Sequence, residues 1–135
     1  MKNVFTALVN KIAGSDFSSS IGGRFYADIA PEGCEYPYCV FSVVSSNPDY
    51  TFTEEFEDTT IQFSIYSTDQ GVTEITTVYS NLISLFDECT LSISGETFIW
   101  MTRENVTTLL DAIDTPEGTL GLRHWAIDYL IQRQL

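Results

Sequence analysis

Basic residues are scarce in this chain. Six lysines and arginines stand against nineteen aspartates and glutamates, a formal net charge of −13. Nucleic-acid and anionic-membrane surfaces need clustered cations to displace counterions, so neither is an expected partner. Charged residues make up only 19% of the chain, so the imbalance comes from too few bases, not from an excess of acids. Histidine is scarcer still, with His124 alone, and cysteine occurs only at 34, 39 and 89. Metal knuckles require C-x-x-C pairs backed by a second pair or by histidines, which this set cannot supply. An odd cysteine count without a secretion signal argues against a disulfide framework, so all three read as reduced thiols, with Cys39 a small buried hydrophobe. Long apolar runs are missing as well. None approaches the roughly 20 residues needed to cross a bilayer. The N-terminal patch is broken by Asn10 and Lys11 before a signal-peptide core can form, which leads us to expect a soluble product of the cytoplasm.

What is present is a globular composition. With 135 residues, 44% of them hydrophobic, the chain is expected to be one domain, 1–135, with its own core. Val4, Phe5, Leu8, Val9 and Ile12 recur at helical spacing and Gly14 stops the pattern. The Ser/Gly-rich SDFSSSIGGR that follows reads as a mobile connection, and Arg24 to Ile29 as a weak strand. In the next run Cys39, Phe41 and Val43 share one face and Tyr38, Val40 and Val44 the other. Both faces are apolar, which predicts a strand covered on both sides and central in its sheet. Ile61, Phe63 and Ile65 alternate with Thr60, Gln62, Ser64 and Tyr66, so the two strands are expected to form a hairpin with a long tip. Val72, Ile75, Tyr79, Leu82, Ile83 and Phe86 then make a second helical stripe, strong enough to outweigh its β-branched threonines. Strands are predicted at Leu91 to Ser94, at Thr97 to Arg103 with a possible extension to Val106, and at Leu122 to Arg133, with DAIDTPEGTLG as a turn before the last. The expected fold is therefore α+β, in the order α-β-β-β-α-β-β-β, with two helices on one face of a largely antiparallel sheet. Its predicted core includes Phe5, Leu8, Phe41, Val43, Phe63, Ile65, Ile75, Leu82, Phe86, Ile127 and Ile131.

The motifs offer little chemistry. A cysteine nucleophile needs an activating base, and the one histidine falls on the polar face of its strand. Gly22 and Gly23 lack the GK[ST] of a phosphate loop, and Asn105-Val106-Thr107 matches a glycosylation acceptor only by chance. Glu54, Glu55, Glu57 and Asp58 lack the alternating oxygens and central glycine of a calcium loop, and read as solvated acids. No catalytic, cofactor-binding or metal residue is expected. The segment SSNPDYTFTEEFED is different, being longer than a hairpin needs, with three aromatics interleaved with five acids. It reads as an arm that contacts another chain through Tyr50, Phe52, Glu54, Glu55, Phe56, Glu57 and Asp58. The competing reading folds those aromatics back onto their own sheet.

The element order, the proline-led strand Pro37-Tyr38-Cys39-Val40-Phe41, and the strand Ile61 to Ser67 leading into a long helix resemble the tail completion family of tailed bacteriophages. The resemblance covers nearly the whole chain, with cysteine at 39 in place of the usual larger aliphatic residue. It implies a non-enzymatic virion protein, made in the bacterial cytoplasm, that forms a ring of six at the end of the tail tube and joins it to the head connector. Its expected partners are further copies of itself and those tail and head proteins, with no cofactor, nucleic acid or membrane. Two other classes stay open: a small acidic cytosolic binding or inhibitor module, such as a DNA-charge mimic, and a cysteine-dependent enzyme.

Overall fold

The computed structural model describes residues 1–50 and 53–135, the side chain of Thr115 excepted. Helix α1, Lys2–Ile12, buries Val4, Leu8 and Ile12 of the expected stripe together with Ala7, while Phe5 is half-buried and Val9 is exposed. A short α2, Asp16–Ser20, follows, opened by Ser15, whose side-chain oxygen accepts from the Ser18 amide at 3.1 Å. The chain then makes β1 (Phe25–Ala27), β2 (Tyr38–Tyr50), β3 (Glu55–Ser67), α3 (Thr73–Phe86), β4 (Thr97–Thr115) and β5 (Gly118–Gln134). The five strands form one sheet in the order β1-β2-β3-β5-β4. Only β1 runs parallel to its neighbour; the other pairs are antiparallel.

The α+β class and the largely antiparallel sheet are as expected, but the element order differs. The described chain reads α-α-β-β-β-α-β-β, with three helices on one face of the sheet in place of two. The missed α2 spans five residues, too few for a period to show, and its Ser-rich sequence resembles a linker. Phe17 anchors it, edge-on to Phe25 at 6.0 Å and to Phe86 at 6.4 Å. Leu91 to Ser94 is not a strand. Leu91 and Ile93 are both buried, so a coil passing over the core mimics the two-residue period of a strand. The predicted turn DAIDTPEGTLG is mostly strand too, since β4 and β5 stay paired from Asp111↔Leu122 to Thr115↔Gly118. Only Pro116 and Glu117 turn the chain. No described side chain of that ribbon is fully buried, and its apolar alternation is confined to Leu120 and Leu122, too short to announce a strand. Because β3 reaches β5 no further than Arg123, residues 111–122 project as a two-stranded arm.

The segment read as a long tip is also mostly strand. Tyr50 pairs with Glu55, leaving 51–54 as the connection. Its acids tolerate strand structure because the neighbouring β5 supplies their partners: Glu57 opposes Arg133 and Asp58 opposes Gln132. Strand β2 is not central and is covered by helices on one face only. Cys39 and Phe41 point under the helices, with Phe5 edge-on to Phe41 at 5.2 Å. Val44, expected on a second covered face, sits at a register break and is exposed. Elsewhere the core follows the period of each strand. Leu8, Phe41, Phe63, Ile65, Ile75, Leu82, Phe86, Ile127 and Ile131 are buried, while Phe5 and Val43 pack against them. Phe63 is the pivot, stacked on Phe86 at 4.7 Å and edge-on to Tyr129 at 5.7 Å.

Candidate interaction surfaces

Register separates two faces. Strand residues level with Cys39, Ile65 and Trp125 point toward the helices; those level with Tyr38, Tyr66 and His124 point away. On the helix side the buried Arg133, 2% exposed, is held by Glu57 at 2.8 Å and by Glu96, with both carboxylates largely shielded from water. The Ser46 hydroxyl donates to the same Glu57. Nearby, the Tyr129 hydroxyl donates to Asp87 at 2.6 Å, while Arg103 donates to the Tyr79 hydroxyl at 2.7 Å and pairs with Asp87 at 3.4 Å. Burial and the Asp87 carboxylate both push the Tyr129 phenol far above its usual range, so it stays a donor.

The face turned away from the helices carries a lateral aromatic stack. Tyr38 stacks on Tyr66 at 4.8 Å, and Tyr66 on His124 at 4.3 Å. Tyr36 and Tyr26 flank Tyr38 at 5.3 and 6.5 Å. Packing among these rings desolvates them: the Tyr38 phenol is pushed up to about 12 mainly by burial, and burial also raises Tyr66. Burial lowers the His124 imidazole, with Asp111 opposing. No residue of this stack was singled out as a site from the sequence, which shows alternation within a strand but not the register between strands.

The seven residues assigned to the acidic segment are divided by the fold. Tyr50, 65% exposed, lies with Glu54 and Glu55 at the hairpin tip. Phe56 is half-buried on the helix-free face, opposite Gln134. The Glu57 side chain points the other way and is occupied by Arg133. Asp58 returns to the helix-free face and accepts from Gln132 at 3.1 Å. Phe52 lies outside the described residues.

The thiols are arranged for packing. Burial raises both Cys39 and Cys89, the reverse of what a thiolate nucleophile needs. Cys39 faces the helices, opposite to His124, and Cys89 approaches the Met101 thioether at 3.6 Å. Among the described residues no three His, Cys, Asp or Glu side chains group so as to hold a metal ion, and no helix is long and apolar enough to cross a membrane. A concavity of about 720 Å³ runs along the outer edge of β4 between Glu88–Thr90 and Phe98–Thr102.

A sheet with one uncovered face, two free edges and a projecting arm belongs to the class of domains that other protein surfaces complete. The family model described as tail completion protein gp17 matches residues 3–131, and the chain belongs to that family, one of structural tail proteins of virions. Among solved structures, a chain from the virion of a native gene transfer agent particle is similar over 96% of this chain and 93% of its own, with TM-score 0.71 at 11% identity. A second, with TM-score 0.55 and 11% identity, covers 96% of this chain and 94% of its own. At that identity both likenesses concern the fold. No curated protein matches the chain.

Proposed function

We propose that this structural tail protein acts as a tail terminator, closing into a ring on the end of the tail tube and joining the tube to the head connector. The observation that carries the ring is the inequality of the sheet's two edges. One is the three-residue β1; the other is the nineteen-residue β4 with its arm. Unlike edges favour head-to-tail contacts, which close into a ring when the rotation between copies is right. Six copies is the number that the resemblance implies. In this reading Tyr50, Glu54 and Glu55 at the hairpin tip touch a neighbouring chain, and synthesis in the host cytoplasm precedes incorporation. Solution mass combined with negative-stain images tests this reading. Ring-shaped particles whose mass is a small multiple of the 15.2 kDa chain are expected. A stable monomer that binds a basic protein and never joins tails would overturn it in favour of an acidic binding module.

A further inference from the structure

The bases of this chain are distributed very unevenly about the sheet. Lys2 and Lys11 belong to α1, while Arg103, Arg123 and Arg133 register with the helix-facing row of β4 and β5. Arg24 sits at the rim of the other face, donating to the Pro37 carbonyl at 2.9 Å with Glu35 at 3.9 Å. The strands' helix-free rows hold no base among the described residues. They carry Asp49 and Asp58 on the β2–β3 hairpin, Asp128 on β5 and Asp111 on the arm. Asp58 and Asp128 each accept from one glutamine amide, Gln132 and Gln62, leaving oxygen capacity outward. Between these acids lie the Tyr38–Tyr66–His124 stack, the half-buried Phe56 and Leu130, and the exposed Trp100 and Leu109, 38% and 47% exposed.

We propose that the helix-free face of the sheet is a docking surface for a basic, arginine-bearing segment of another protein of the particle. Arginine suits it on both counts, because a guanidinium stacks on aromatic rings and also takes a carboxylate bidentately. A second copy pairing through the same face does not suit it, since two such faces would bring acids against acids with no base between them, and a copy docking by another surface is told apart by the self-association arm of the test. Nucleic acid is excluded by the same sign of charge. Phe56 and Asp58 make this face continuous with the hairpin, so these two residues of the acidic segment contribute here while Glu57 serves the fold. The inference rests on the reading above only in placing the partner within the virion.

The test uses the full chain and a fluorescein-labelled tetra-arginine peptide. Asp58→Asn with Asp128→Asn keeps shape and amide partners but removes two charges from the face; Asp16→Asn with Glu88→Gln removes two exposed charges elsewhere. Binding is expected to weaken roughly tenfold or more in the face pair and by less than about twofold in the control pair. Tyr66→Ser, checked for an intact fold by circular dichroism, is expected to weaken it as well. Equal losses in both pairs would mean that net charge alone attracts the peptide and would overturn the proposal, as would no loss in either. A face pair that instead abolishes self-association identifies a second copy as the occupant and also overturns it. Tails assembled without this protein and then supplied with it separate this claim from the functional reading. If the face pair fails to complete them while the control pair succeeds, both stand. If the peptide result holds but the unaltered chain never completes tails, the terminator reading fails and the docking face remains.

Discussion

The two faces of the sheet are built from the same five strands to opposite ends. Toward the helices, Ile61, Phe63 and Ile65 form a continuous apolar run bounded in the same row by the buried Thr59 and Ser67, and the fully buried charge, Arg133, is met by two carboxylates. Away from them, Gln62, Ser64 and Tyr66 occupy the same strand with only lateral neighbours. Apolar burial removes roughly 25 cal/mol from the free energy per Å² taken from water, so the covered face is where folding free energy resides. The uncovered face contributes cross-strand contacts worth a fraction of that, and its residues are set by what must bind there. A strand can therefore satisfy the fold with its odd positions and leave its even positions to function.

Mutations break that comparison in order of size. Phe63→Ala should be the most damaging, about 4 kcal/mol, because it empties the pivot between Phe86 and Tyr129. Chemical denaturation reads this directly, and an unchanged midpoint would mean the register is wrong. Arg133→Ala should cost about 3 kcal/mol, because it strands the Glu57 and Glu96 carboxylates against a closed wall. Replacing all three by apolar residues of similar volume should recover most of that loss. Tyr129→Phe removes one charge-assisted hydrogen bond and should cost about 1.5 kcal/mol. On the other face Tyr66→Ser should cost only about 1 kcal/mol, the loss of its stacking on Tyr38 and His124.

The smallest effect depends on pH. Burial lowers the folded-state His124 pKa below its ordinary 6.5. Above about pH 6.5 the imidazole is neutral folded and unfolded, and it contributes nothing to the pH dependence. As pH falls through that value the unfolded chain takes up the proton first, so stability should decline. His124→Phe should flatten the decline between about pH 6.5 and 5, measured as melting temperature against pH. A slope identical to that of the unaltered chain would show the ring to be solvated in the native state.

Much of this was legible before the fold was known. Where one side of an element meets a core the period of the sequence reports it, so α1, α3, the β2–β3 pairing and the Trp125, Ile127, Tyr129, Ile131 row could be read. Where no described side chain is fully buried, as in the arm at 111–122, backbone pairing maintains the element and only a short pattern appears. Acids at 54–58 suggested a loop because their partners, Gln132 and Arg133, lie more than seventy residues away. The stack of Tyr38, Tyr66 and His124 is likewise a property of register between three strands and is invisible in any one of them. Family membership was readable from element order and strand residues, whereas the opposite facing of Phe56 and Glu57 within the acidic segment follows from strand register and was not.

The claim that one face folds the chain and the other docks a partner is tested most directly by hydroxyl-radical footprinting of the free protein and of assembled particles. Tyr66, Trp100 and Phe56 on the helix-free face should lose most of their labelling on incorporation, while exposed helix-side residues such as Val9 keep theirs. Unchanged labelling of Tyr66, Trp100 and Phe56, with protection appearing on the helix side instead, would contradict the account.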